Sequence, residues 1–291
     1  MEVQMRLGIV GMVPGDFRAL TGEHAEAIRG LKFTGFGFHA SGDNIFSFTA
    51  AECEAFNRFM AGENLDLVQF GLSYSECLFH PDSALRESVT TKINRGIEVA
   101  HQLNAGAYLI RPGSLNPDGP WTSHRDNHRP ENLACLIEIL KPIAHKAEEE
   151  GVTIIMETHA ISIMDSPETC RAVVESVGSE NLRIVMDAVN HFQSLRQVYN
   201  STDRLNHIFD VMGLIAPVAH IKDIKVRNGL VLHIDEEVPG EGELDLVQML
   251  RRFDALYPNG YGLIEHLPTS KIPLASENVR RIASEHGIDI H

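Results

Sequence analysis

Short apolar runs alternate with longer amphipathic stretches along the chain. The apolar runs are rich in Val, Ile and Phe and span five to seven residues each, as is typical of strands buried on both faces. There are eight of them, at residues 6–11, 33–38, 65–71, 106–111, 152–157, 182–187, 217–222 and 261–265. The stretches between them follow a helical period. In residues 130–150, apolar positions recur every three or four residues, with Pro130 at the predicted start and Gly151 just past the end.

This alternation predicts a single (β/α)8 TIM barrel that forms one catalytic domain over residues 1–291. An open, doubly wound sheet is the alternative, but no GxGxxG, GxxxxGKS or GxxxxGKT motif follows a strand, which disfavours its nucleotide-binding form. Two connections are long, at residues 112–129 and 223–242, and the Asn228-Gly229 pair in the second predicts a hairpin. Both follow strands, so we expect both at the carboxyl ends of the strands, where barrel active sites are built.

Composition limits the binding partners and the cellular compartments to be expected. The formal net charge is −15, which disfavours binding to nucleic acid or to anionic membranes. No apolar run reaches the roughly 18 residues of a membrane span. The four cysteines contain no CxxC pair, which indicates free thiols and a cytoplasmic protein. Their positions are Cys53, Cys77, Cys135 and Cys170.

Polar side chains end the last four predicted strands. Glu157 and Asp187 end the fifth and sixth strands, His220 lies near the end of the seventh, and Glu265 ends the eighth. Three acids and an imidazole that converge in a barrel mouth would be unfavourable without a positive charge between them. A single divalent cation is the simplest solution, and this ligand set suits Mn2+, Co2+, Mg2+ or Zn2+.

Five segments carry a family resemblance, in the same strand order. They read IMETHA, IVMDAVNHF, HIKDIK, VPGEGELDL and GLIEHL, and they resemble the xylose isomerase-like barrels of the sugar phosphate isomerase/epimerase group. The resemblance implies one divalent metal, Mn2+ in the first place, bound by Glu157, Asp187, His220 and Glu265. It also implies that Glu157 and Glu265 act as the acid and base on opposite sides of the reacting carbon.

The activity expected from this resemblance is an isomerase or epimerase of a sugar or keto-sugar that works through a metal-stabilised enediolate. The alternative is a metal-dependent dehydratase or lyase that acts on a keto-sugar, a keto-glycoside or an inosose. A non-catalytic carbohydrate-binding barrel is a third possibility. The expected partner is a small carbohydrate. Whether the chain also forms homo-oligomers is left open by the sequence.

Departures from the family patterns argue against DNA repair. Endonuclease IV-type relatives hold three metals and need further histidines, where this chain has Ser73, Arg111 and Asn190. Asn190 also replaces the histidine by which ketose 3-epimerases contact their substrate, which weakens that particular assignment.

Further residues are candidates for substrate binding because they lie close to the predicted ligands in the sequence or follow a strand. They are Lys222, Asn190, His191, Arg111, His159 and Trp121. The family resemblance adds Arg227, which is displaced by one position from the arginine that the family carries beyond the histidine of the seventh strand. Lys222 shares a strand face with His220. Trp121, the only tryptophan, lies in the long loop after the fourth strand, where it could cover the apolar face of a sugar. Gly240 and Gly242 predict a tight turn and give only a weak signal for phosphate binding.

Overall fold

Eight parallel strands close into a barrel in the computed structural model, which describes residues 4–291. The first three residues of the predicted domain lie outside the described residues. The barrel strands are β1 (Arg6–Val10), β2 (Gly35–Ser41), β3 (Asp66–Ser73), β4 (Ala107–Ile110), β5 (Ile154–Met156), β6 (Leu182–Met186), β7 (Val218–Ile221) and β10 (Tyr261–Ile264). The first and last strands pair in parallel, with Leu7 opposite Gly262. This pairing confirms the predicted barrel and excludes the open sheet.

Helices follow the barrel strands and pack around them. They are α1 (Gly22–Gly30), α2 (Ala50–Glu63), α3 (Ser83–Gln102), α4 (Pro130–Glu150), α5 (Pro167–Val177), α6 (Leu195–Tyr199), α7 (Ser201–Met212), α8 (Leu246–Leu256) and α9 (Ile272–Glu285). The start and end of α4 are as predicted: Pro130 occupies the first turn, and Gly151 ends the helix at φ 66°. Within residues 4–291, no helix is long and apolar enough to cross a membrane.

Small and branched apolar side chains, together with one tyrosine, fill the interior of the barrel. They form a buried cluster that is separate from the larger cluster beneath the helices. Its members are Val68, Ala107, Leu109, Ile155, Val185, Val218, Tyr261 and Leu263. All lie on barrel strands, as expected for the layered core of this fold. Because this core excludes water below the carboxyl ends of the strands, charged groups there need partners supplied by the protein or by a ligand.

The long connection after β7 forms the predicted hairpin. Strands β8 (Asp223–Val226) and β9 (Ile234–Glu237) pair antiparallel, with Asp223 opposite Glu237. The loop between them is longer than a two-residue turn, and Arg227 N donates to His233 O at 3.0 Å. The hairpin therefore begins directly after β7 and stands at the carboxyl end of the barrel.

Candidate metal centre

The structure brings the four predicted ligands together. Glu157, Asp187 and Glu265 come directly after β5, β6 and β10, and His220 lies within β7. All four are buried, and one potential ligand atom from each lies within 4.8 Å of the others. Because parallel strands present their carboxyl ends at the same rim of the barrel, residues that are far apart in the sequence meet there.

Gln69 of β3 fixes the orientation of His220. The Gln69 side chain is fully buried, and its Oε1 lies 2.9 Å from His220 Nε2. When Nε2 donates this hydrogen bond, Nδ1 is the nitrogen that faces the carboxylates, at 2.9 Å from Glu265 Oε1 and 3.4 Å from Asp187 Oδ2. Sequence reasoning missed Gln69, although a polar residue within the apolar run of β3 was a signal.

Lys222 brings a positive charge to the same carboxylates. Its Nζ lies 2.6 Å from Asp187 Oδ2 and 2.7 Å from Glu265 Oε1, and the side chain is almost completely buried. Glu236 of β9 lies 3.5 Å from Lys222 Nζ, and its Oε1 is 3.1 Å from His266 Nδ1. Glu236 was not predicted, because only the hairpin fold brings it to this rim. His266 was missed although it directly follows Glu265 in the sequence.

Burial and charge together shift the pKa values of the cluster. Burial raises the pKa of Glu157 to about 7, and the neighbouring Glu265 carboxylate acts in the same direction. Burial alone would lower the pKa of His220, but the carboxylates of Glu265 and Asp187 outweigh it and raise the pKa to about 10. Burial also opposes ionisation of Glu265, yet His220 and Lys222 hold its pKa well below the usual range. The protonation of each of these residues therefore depends strongly on the charges of its neighbours.

The residues fit a divalent cation. Asp187 Oδ1 is buried and has no hydrogen-bond partner among residues 4–291. The 2.9 and 3.4 Å separations from His220 Nδ1 to the two carboxylate oxygens match neighbouring corners of a coordination shell with bonds of about 2.1 Å. The hydrogen bond that His220 Nε2 donates to Gln69 Oε1 is the kind of contact that orients metal-binding histidines. The donor set, three carboxylates and one imidazole, suits the hard to intermediate cations predicted from the sequence.

Three of the predicted substrate residues lie together at the rim. The guanidinium of Arg111 lies 4.8 Å from the ring centre of Tyr74 and 6.0 Å from that of Trp121. The ring of Trp121 lies 6.4 Å from that of His159, at an interplanar angle of 62°. Arg111 also donates to the backbone carbonyl of Tyr74. Arg111 and Trp121 of the loop after β4 and His159 of the loop after β5 thus form one aromatic and cationic surface, which we call the rim wall.

Asn190 and His191 support the loop that follows β5. Asn190 Nδ2 donates to Thr158 O at 3.1 Å, and His191 Nε2 lies 3.1 Å from Thr158 Oγ1. His191 is fully buried, and its Nδ1 has no hydrogen-bond partner among residues 4–291. Both side chains therefore hold Thr158 and, through it, the backbone next to Glu157.

Arg227 lies apart from the cluster. It begins the loop of the hairpin, its side chain is 64% exposed, and it forms an ion pair with Asp235 at 2.5 Å. The structure thus places this residue at the surface of the hairpin and not beside the four ligands.

The turn that contains Gly240 and Gly242 is closed by an internal carboxylate. The side chain of Asp223 accepts hydrogen bonds of 2.8–3.0 Å from the backbone N–H groups of Ile224, Gly240, Gly242 and Leu244. A Cβ at position 242 would lie only 2.2 Å from Asp223 Oδ1, so only glycine fits there. These amides are used within the protein, which removes the weak phosphate signal that the turn gave in the sequence.

Comparisons with known proteins agree with this fold. The sequence model of the xylose isomerase-like TIM barrels matches residues 25–289. No protein with a curated function matches the chain in sequence. A xylose isomerase domain protein from Planctomyces limnophilus has a similar solved structure, with a TM-score of 0.74, 16% identity and 99% of both chains covered.

Two further solved structures are similar. A xylose isomerase-like TIM barrel protein from Mycobacterium smegmatis, in complex with magnesium, gives a TM-score of 0.70 at 13% identity, with 96% of both chains covered. The 3-keto-D-glucoside 4-epimerase YcjR from E. coli, in its apo form, gives a TM-score of 0.70 at 14% identity, with 97% of this chain and 100% of that chain covered. At these identities the similarity establishes the shared fold.

Proposed function

Because the chain belongs to the family of xylose isomerase-like TIM barrels, we propose that it is a divalent-metal-dependent isomerase or epimerase of a sugar or keto-sugar. One observation carries this proposal. Glu157, Asp187, His220 and Glu265 converge within 4.8 Å at the carboxyl end of the barrel, where the active sites of this fold are built.

The residues of the cluster divide the chemical work. Asp187 and His220 would hold the cation together with Glu157 and Glu265, and a divalent cation bound there would supply Lewis-acid polarisation to the substrate. One glutamate carboxylate removes the proton from the carbon next to the carbonyl, which gives an enediolate. If the other glutamate returns a proton to the opposite face of that carbon, the product is an epimer. If the proton goes to the neighbouring carbon, an aldose and a ketose are interconverted.

An unphosphorylated carbohydrate is the substrate class that we favour. The backbone N–H groups of Gly240 and Gly242 donate to Asp223, and are therefore not free to bind a phosphate group. Trp121 and Arg111 at the rim offer an aromatic face and a cation to a sugar ring. The similarity to a 3-keto-D-glucoside 4-epimerase favours keto-sugars as the first compounds to test.

Mn2+ is the first metal to test, followed by Mg2+, Co2+ and Zn2+. The carboxylate-rich donor set favours a cation that prefers oxygen ligands and still accepts one imidazole. We assign the enzyme to the cytoplasm because its four cysteines are free thiols, three of which are buried.

The proposal is tested by a screen of keto-sugars and aldoses in D2O. The protein is first treated with a chelator, desalted and then supplied with Mn2+. The expected result is metal-dependent deuterium incorporation at the carbon next to the carbonyl, with no change in substrate mass beyond the exchange. A loss of water or of a leaving group would instead reveal a lyase. An absence of exchange with every metal and every sugar, in a protein that binds Mn2+, would contradict the proposed chemistry.

A further inference from the structure

Lys222 occupies the charge centre of the carboxylate cluster. Its ammonium group lies 2.6 Å from Asp187 Oδ2 and 2.7 Å from Glu265 Oε1. Three carboxylates, from Glu157, Asp187 and Glu265, are buried in one place, and a lysine is the flexible cation that the chain itself supplies to them.

The two oxygens that contact Lys222 are also those that face His220. Asp187 Oδ2 and Glu265 Oε1 lie 3.4 and 2.9 Å from His220 Nδ1, the spacing that fits a shared metal ion. A cation bound to these three atoms would compete with the ammonium group for the same oxygen lone pairs. The pairing of Lys222 with Glu265 is also imperfect, because Glu265 Oε1 has no contact of hydrogen-bond geometry among residues 4–291.

A further carboxylate, outside the group of three, lies close enough to receive the ammonium group. Glu236 of β9 lies 3.5 Å from Lys222 Nζ, and its other close partner is His266 at 3.1 Å. Glu236 is 44% exposed, whereas the side chains of Asp187 and Glu265 are at most 2% exposed. A lysine that moves from the two buried carboxylates to Glu236 would therefore remain paired and move toward the solvent.

We propose that Lys222 is a built-in counter-cation that keeps Asp187 and Glu265 together until a divalent metal binds them, and that Glu236 of the hairpin then holds the displaced ammonium group. This inference rests on the proposed metal-dependent function, since it concerns the exchange of one cation for another at the same oxygens. It gives the hairpin a role in metal exchange.

Metal binding and stability of the whole protein test this exchange without measuring activity. The variants are Lys222→Met, Glu236→Gln and the pair combined, with Mn2+ as the probe. Lys222→Met should lower the melting temperature in chelator but not at saturating Mn2+, because only the metal-free cluster needs the lysine charge. The same variant should bind Mn2+ at least ~10-fold more tightly, since a competing charge is removed.

Glu236→Gln should leave the metal-free melting temperature unchanged and weaken Mn2+ binding several-fold. In the Lys222→Met background, Glu236→Gln should have no effect on Mn2+ affinity, because no ammonium group then needs an acceptor. If Glu236 acted directly on the metal through its charge, the loss would persist in that background and overturn its proposed role.

Lys92→Met is the matched control. Lys92 Nζ also pairs with two carboxylates, at 2.5 Å from Glu76 and 3.2 Å from Asp43, and neither is a ligand of the proposed metal. This variant should change stability equally with and without Mn2+. Equal destabilisation of Lys222→Met in both conditions, or unchanged Mn2+ affinity, would overturn the counter-cation role and leave the metal site itself in place.

Crystal structures of the wild-type protein with and without Mn2+ give a test that needs no variant. The expected difference is a movement of Nζ from Asp187 and Glu265 to Glu236. Retention of both short contacts in the Mn2+-loaded crystal would overturn the proposal. Failure of the wild-type protein to bind any divalent ion would instead refute the metal-dependent function on which the proposal rests.

Discussion

Gln69 Oε1 and His220 Nε2 lie 2.9 Å apart behind the candidate metal centre, although 151 residues separate them in the sequence. The bond joins strands on different sides of the barrel and decides which imidazole nitrogen faces the carboxylates. Gln69 Nε2 also lies 3.4 Å from His39 Nε2, so the glutamine connects two histidines at the rim.

Replacement of Gln69 by Leu should weaken Mn2+ binding by ~10- to 100-fold, because His220 loses the contact that orients it. Isothermal titration with Mn2+ measures the change. Gln248→Leu is the control, since it removes a comparable bond of 2.6 Å to Asn206 at the helices. Equal Mn2+ affinities for Gln69→Leu and the wild type would show that His220 needs no such orientation.

Glu157→Gln and Glu265→Gln should each reduce turnover by at least ~100-fold, either through loss of the proton-transfer group or through loss of metal. Steady-state rates on the sugar found in the D2O screen, together with the metal content of each variant, separate the two causes. Glu54→Gln, at a side chain that is 73% exposed, serves as the control. Near wild-type rates in both active-site variants would eliminate the proposed mechanism.

Trp121→Ala should raise KM by roughly 3- to 10-fold and leave Mn2+ affinity unchanged, because an aromatic contact contributes on the order of 1 kcal/mol. Trp121→Phe keeps an aromatic ring in the loop after β4 and should retain most of the affinity for substrate. Initial-rate measurements over a range of sugar concentrations give both constants. An unchanged KM in Trp121→Ala would show that the substrate does not contact Trp121.

Arg227→Ala should change kcat/KM by less than ~2-fold, because the exposed ion pair with Asp235 contributes little to stability or to the site. The family resemblance implied a role for this residue in substrate binding, and the measurement decides between the two expectations. A rise in KM of tenfold or more would mean that the hairpin closes over the bound sugar.

Asp223→Ala should lower the free energy of unfolding by about 3 kcal/mol, because it leaves four backbone amides without their common acceptor. Urea titration of the metal-free protein measures this loss. Asp235→Ala in the exposed ion pair of the hairpin is the control and should cost less than about 1 kcal/mol. A loss for Asp223→Ala no larger than that of the control would show that the turn closes without the carboxylate.

The barrel and the convergence of four polar side chains at its rim could be predicted because each left a local signal. An acid or imidazole that ends an otherwise apolar strand stands out, as at Glu157 and Asp187, and the closed parallel sheet then brings these ends together. The hairpin was predicted for the same reason, from the Asn228-Gly229 pair. Its loop spans residues 227–233.

The partners of these ligands could not be placed from the sequence. Gln69 reaches His220 across the barrel, and Glu236 reaches Lys222 only because β9 folds back onto β8. Such contacts depend on register and side-chain direction, which a single sequence does not specify. Arg227 shows that proximity in the sequence can also mislead. It is close to His220 along the chain, but it lies at the surface of the hairpin.

The direction of side chains after β7 has a consequence for how this enzyme can diverge. His220 and Lys222 point to the buried carboxylates, while Asp223 points the other way and seals the base of the hairpin. An insertion of one residue within this stretch would turn its side chains to the wrong faces, so these contacts require the present spacing. The loop between β8 and β9 can lengthen or shorten without moving Glu236 or the four clustered side chains, so variation in this loop need not alter the cluster.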